Sequence, residues 1–124
     1  MMTIRMKVII AGGRDFTDYE FAKKHLDSIF SKVKPDYIIS GKARGADTIG
    51  EQYAHENGID VLEFAADWKG LGRKAGPIRN AQMAQEATHL VAFWDGKSRG
   101  TKHMIEEAER VGLKVRVVRY RRTE

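Results

Sequence analysis

Short apolar runs of β type alternate along the chain with longer apolar stripes of helical spacing, and this alternation constrains the fold more than any other feature. Lys7-Val8-Ile9-Ile10-Ala11 reads as a buried strand, followed by Tyr37-Ile38-Ile39-Ser40, Val61 to Ala65, His89-Leu90-Val91-Ala92-Phe93 and Lys114 to Tyr120. Between them, Ala22, Leu26, Ile29, Phe30 and Val33 recur at helical spacing, as do Ala46, Ile49, Gly50, Tyr53 and Ala54. Thr17 and Glu20 have the spacing of a capping box and predict the start of the first helix, which Pro35 ends. Gly58 suits the end of the second helix. Residues Asp67 to Gly76 read as a glycine-containing loop, and Pro77 fits the first turn of a helix running to about Ala87. Thr101, Met104, Ile105, Ala108 and Val111 mark the last helix, closed by Gly112.

Strands alternating with helices predict an α/β fold: a parallel sheet with helices on both faces. Right-handed crossovers leave few strand orders, and 3-2-1-4-5 is the one expected, giving three Rossmann-like layers. Charged residues alternate with valine in the last strand, which predicts an edge. The 124 residues are expected to form a single domain, 1–124, able to bury a core unaided. Only Arg121 to Glu124 are expected to be unstructured. The absence of cysteine removes disulfides, thiolate metal sites and a thiol nucleophile. No apolar run approaches the roughly 20 residues of a membrane span. Met1 to Lys7 runs into a strand too soon for a secretory signal, so a cytoplasmic location is expected.

The net charge of +5 favours anionic partners, and the positions of the charges narrow the choice. In open parallel sheets, ligands bind beyond the carboxyl ends of the strands where the strand order reverses. The loops there are Gly12-Gly13-Arg14-Asp15 and Asp95-Gly96-Lys97-Ser98-Arg99-Gly100-Thr101, with Gly41-Lys42-Ala43-Arg44-Gly45-Ala46-Asp47 beside them. Each contains glycine and arginine. Glycine lets a backbone approach an anion closely, helix-start N–H groups point at it, and arginine grips phosphate with two parallel bonds. Gly100 and Thr101 are the leading phosphate seat. Lys69, Arg73, Lys74 and Arg79 extend the basic rim; Asp15, Asp47, Asp67 and Asp95 are carboxylates suited to ribose hydroxyls.

Trp68 and Trp94 stand beside this rim, where tryptophan either stacks on a base or packs against the protein. The dinucleotide fingerprint and the Walker pattern are both absent. His25, His55, His89 and His103 lack metal spacing, and no metal or cofactor is expected. His103 is close enough to the Gly100-Thr101 turn to be a polar contact. No serine sits in a nucleophile elbow.

The loops resemble those of the SLOG superfamily, which includes the lonely-guy phosphoribohydrolases and the Rossmann domain of DNA-processing protein A, and are most similar to its YspA (YpsA-related) branch of bacteria and phages. The resemblance lies in Gly12-Gly13-Arg14-Asp15-Phe16; Ser40-Gly41, Ala43-Arg44-Gly45-Ala46-Asp47; Ala66-Asp67-Trp68; Ala75-Gly76, Arg79-Asn80, Met83; and Phe93-Trp94-Asp95-Gly96, Ser98-Arg99-Gly100-Thr101. It implies a Rossmann-like sheet, a nucleotide-type ligand and a homo-oligomer, a dimer through helices flanking the sheet. Lonely-guy enzymes cleave the N-glycosidic bond of a nucleoside monophosphate with an arginine and a glutamate. Arg79 matches the arginine, with Asn80 where those enzymes have lysine. The glutamate has no match: His103 and Met104 stand there, and Glu106 and Glu107 lie further on.

The expected function is therefore binding of a phosphate-bearing nucleotide or nucleotide-derived, ADP-ribose-like molecule, as a sensor or sequestering module. The alternative is a phosphoribohydrolase acting on a nucleoside 5′-monophosphate, with Arg79 and Asp95 catalytic. A third reading, nucleic-acid binding, draws on Arg116, Arg119, Arg121 and Arg122.

Overall fold

The computed structural model describes residues 5–121. Its elements are β1 (Lys7–Gly12), α1 (Tyr19–Ile29), β2 (Tyr37–Ser40), α2 (Ala46–Glu56), β3 (Asp60–Glu63), α3 (Trp68–Leu71), a 3-10 turn (Gly72–Lys74), α4 (Ala75–Glu86), β4 (His89–Trp94), α5 (Arg99–Arg110) and β5 (Lys114–Arg119). All strand pairs are parallel, in the order β3-β2-β1-β4-β5, as the alternation predicts. The edge position expected of the charged last strand is also observed.

Strand residues point alternately to opposite faces, so each central strand feeds two cores. Val8 and Ile10 of β1, with Val91 and Phe93 of β4, pack under Ala22 and Leu26 of α1 and Ile49 and Tyr53 of α2. Ile9, Ala11, Leu90 and Ala92 face the other way, against Met83 and Ala84 of α4 and Met104, Ile105 and Ala108 of α5. Ile9 pairs with Ile39 of β2 on one side and with Leu90 of β4 on the other, and these registers keep like faces together. The doubly buried runs of β1 and β4 explain why both are almost wholly apolar.

Four local expectations change. Asp18, not Thr17, caps α1: its carboxylate accepts from the Phe21 N–H at 3.1 Å, and a full negative charge suits a helix start. That helix ends at Ile29, with Phe30 as its cap, and leaves Val33 60% exposed. The third strand covers Asp60–Glu63, short of Ala65. The loop from Asp67 is a helical turn and a 3-10 turn, and α4 starts at Ala75, so Pro77 is its third residue. Pro77 is still among the first four N–H positions, which have no partner inside the helix.

Met1 to Ile4 of the chain's start, and Arg122 to Glu124 of the expected tail, lie outside the described residues. No helix among the described residues is long and apolar enough to cross a membrane.

Candidate functional site

A cleft of about 650 Å³ opens beyond the carboxyl ends of β1 and β4, where the strand order reverses. Arg14, Asp15, Asp47, Trp68, Arg79 and Asn80 line it on one side of the crossover, and Asp95, Ser98, Arg99, Gly100 and Thr101 on the other. Gly12, Gly13 and Ala43 complete the sequence-expected lining. Gly76, Pro77, Met83, Lys97, His103 and Met104 also reach it. Met83 and Met104 bring an apolar floor that glycine and arginine patterns do not reveal; Met104 is signalled by its helical stripe and Met83 by the family motif.

The glycine loops play different structural parts. A Cβ on Gly12 would meet the Phe93 carbonyl and lie 2.8 Å from Ala46 Cβ. Gly45, at φ 77°, lies against the Gly13 and Arg14 backbone, and the Gly13 carbonyl accepts from Ala46 N–H at 3.2 Å. The first two loops are thus packed on each other, and an N–H at the start of α2 is already taken. Gly100 differs: a Cβ there would meet nothing within 4 Å. The start of α5 is open to the cleft.

Asp95 and Ser98 shape that start. Asp95 Oδ1 accepts from the N–H groups of Lys97 at 2.8 Å and Ser98 at 2.9 Å. Ser98 caps α5, its hydroxyl lying 3.4 Å from the Thr101 N–H and 3.0 Å from the Thr101 hydroxyl. The Thr101 N–H expected to face a phosphate is therefore engaged, and Thr101 is buried. The open donors of the turn lie at Arg99 and Gly100, among the N–H groups that a helix start leaves without a helical acceptor.

Arg79 reaches from α4 to the loop after β2. Its Nη1 donates to the Gly41 carbonyl at 3.1 Å and its Nη2 to Asn80 Oδ1 at 3.3 Å, while its Nε is buried without a hydrogen-bond partner among the described residues. Asn80 is buried and joins both sides of the cleft. Its Nδ2 donates to the Gly100 carbonyl at 3.4 Å, which fixes the amide orientation already required by Arg79. The same Nδ2 lies 3.1 Å from His103 Nδ1. An amide nitrogen only donates, so His103 Nδ1 accepts and its proton sits on Nε2, toward Glu107 Oε1 at 3.6 Å.

Asp47 is buried beside this arginine, and burial pushes its carboxyl up to about 6. A hydrogen bond from Ala43 N–H at 3.1 Å and the charges of Arg79 and Arg14 pull the other way without overcoming it.

Five expected residues fall outside the cleft lining. Gly41 and Arg44 line a smaller neighbouring concavity instead. Trp94 lines neither: its indole N–H donates to the Ser98 carbonyl at 3.1 Å, and Arg119 lies over the ring at 5.3 Å. Gly45 and Gly96 are also outside the cleft lining; Gly96 takes φ 86° where Arg119 packs on it. Trp68, by contrast, is 49% exposed at the rim, with the Arg14 guanidinium 5.6 Å from its ring centre. Among the described residues, no group of three or more metal-ligating side chains is placed to hold a metal ion.

Residues 6–70 match the model of the YspA, cpYpsA-related SLOG family. The chain is 33% identical over 116 residues to the Gene 61 protein of Mycobacterium phage D29, covering 88% of this chain and 93% of that protein. It is similar in fold to DNA processing protein A from Streptococcus pneumoniae, with a TM-score of 0.71 at 17% identity. That likeness covers 91% of this chain and 50% of the other, so the chain spans about half the length of its solved neighbour.

Proposed function

The chain belongs to the YspA, cpYpsA-related SLOG family, and on that footing we propose that residues 1–124 form one domain that binds a phosphate-bearing nucleotide or nucleotide-derived, ADP-ribose-like molecule in the cleft between β1 and β4. The observation that carries this reading is the open start of α5 at Gly100, in the same cleft as Arg14, Arg79 and Arg99. A helix start attracts an anion through its free N–H groups and its dipole, and guanidinium groups add charge-assisted bonds. Asp15 and Asp47 are the cleft carboxylates assigned to ribose hydroxyls, and Trp68 is the aromatic face assigned to a base.

Holding is favoured over cleaving. Asp95 Oδ1 is occupied by two backbone N–H groups of its own loop, and both ring nitrogens of His103 face protein groups. Asp95 Oδ1 and the His103 ring nitrogens are thus engaged and poorly placed to act as a base for a water molecule.

Calorimetric titration with nucleoside 5′-monophosphates, 5′-diphosphates and ADP-ribose tests the proposal. Saturable binding below about 1 mM is expected. Arg99→Ala should weaken a phosphorylated ligand about tenfold or more, through loss of a bond to a charged group, and its dephosphorylated analogue little. No binding by any member of the panel would overturn the reading.

A further inference from the structure

Beside the cleft, beyond the ends of β2 and β3, lies a second concavity of about 260 Å³. It shares Arg14, Ala43, Trp68 and Arg79 with the cleft and adds Lys42 and Arg44. Its lining has no carboxylate, whereas Asp15, Asp47 and Asp95 line the cleft. We propose that this concavity is a second anion seat, and that the molecule bound is a diphosphate, with one phosphate at the start of α5 and the next between Arg14, Arg79 and Arg44. The inference rests on the reading of the cleft as a phosphate site and extends it from one anionic group to two.

The basic side chains here are not equivalent. Lys42 is neutralised by Glu51 at 3.1 Å and Glu63 at 3.8 Å. Arg14, Arg44 and Arg79 enter no salt bridge among the described residues. Two of them are held in place: Arg14 over the Trp68 ring, and Arg79 by the Gly41 carbonyl. Arginines that merely decorate a surface gain nothing from being fixed. A buried donor with no acceptor costs free energy, and Arg79 Nε is such a donor. Its cost is borne in the wall common to both concavities, where one anionic group would lie within reach of the other. Because the two concavities share this wall, two phosphates joined through one bridging oxygen are the ligand class assigned to them.

The test compares each nucleoside 5′-diphosphate with its 5′-monophosphate, and inorganic pyrophosphate with inorganic phosphate, by calorimetry on the full chain and on Arg44→Gln. Arg44 is exposed, and melting curves check that the variant folds. The diphosphate should bind about tenfold or more tighter than the monophosphate, the gain of one further bond to a charged group. Arg44→Gln should bring that ratio close to one. Equal binding of mono- and diphosphate by the unaltered chain, or a ratio unmoved by Arg44→Gln, would overturn the second seat while leaving the first intact. Failure of every phosphate compound to bind would overturn the phosphate reading of the cleft and this inference with it.

Discussion

Arg79 Nη1 donates to the Gly41 carbonyl at 3.1 Å and so ties α4 to the loop after β2. The same guanidinium reaches Asn80 Oδ1, and Asn80 reaches the carbonyl of Gly100. The Arg79–Asn80 pair therefore links the loop after β2 to the start of α5 across the cleft. Lysine keeps the charge but not the fork. Arg79→Lys should cost about 1–2 kcal/mol in stability through these lost bonds. It should also weaken a phosphorylated ligand by about tenfold. Urea unfolding and calorimetry read the two effects separately; an affinity unchanged by the substitution would remove Arg79 from the ligand's contacts.

Two glycines of the site should respond in opposite ways to a methyl group. In Gly12→Ala the new Cβ meets the Phe93 carbonyl and Ala46 Cβ, so backbone must move. Overpacking of this kind costs about 1–3 kcal/mol. In Gly100→Ala the methyl meets nothing, and removing a helical glycine should stabilise by up to about 1 kcal/mol. The same methyl stands over the open helix start, so phosphate binding should weaken severalfold. A Gly100→Ala chain that is more stable and binds as before would place the anion elsewhere.

These two residues also show how far the sequence is legible. Sheet order follows from strand–helix alternation, because parallel strands joined by right-handed crossovers allow few arrangements. The edge at which loops gather follows from the same rule. Glycine in a strand-to-helix turn is ambiguous, however, because close packing and close approach of a ligand demand the same residue. Gly12 and Gly45 meet backbone and Gly100 meets open space, a difference of tertiary contact that no local pattern contains. The two tryptophans are ambiguous for the same reason. The Asn80–His103 contact joins α4 to α5 and depends on how those helices pack, which spacing along one helix does not reveal.

Asp47 should make stability depend on pH in the direction opposite to a paired surface carboxylate. Its ordinary value is 3.8, and burial raises it to about 6 in the folded chain. Between those values the folded state holds a proton that the unfolded state has released. Raising the pH through this window therefore destabilises the fold, by up to about 3 kcal/mol, and has no further effect above it. Asp47→Asn removes this contribution while its amide oxygen still accepts from Ala43 N–H. Urea unfolding at pH 4.5 and 7.5 should show the unaltered chain losing stability relative to the variant at the higher pH. A constant difference between the two proteins would mean that Asp47 titrates near its ordinary value.

The two tryptophans offer a direct reading of where a base lies. Trp68 is 49% exposed, lines both concavities, and has an edge of its ring near Gly76 and the Arg14 guanidinium 5.6 Å from its centre. Trp94 lines neither concavity, and its N–H holds the Ser98 carbonyl at 3.1 Å. A nucleotide stacked at the rim should quench the fluorescence of Trp68 alone. Trp94→Phe should keep the quenching and lose about 1 kcal/mol of stability, because one hydrogen bond in a half-buried position is gone. Trp68→Phe should lose the quenching and cost little stability, since the side chain is half exposed; affinity should fall modestly because phenylalanine preserves an aromatic face. The pair of variants separates two geometries. Quenching that follows Trp68 puts the base over the α3 side of the cleft. Quenching that survives Trp68→Phe and disappears in Trp94→Phe would put the base toward β5 and overturn the assignment of Trp68 as its platform.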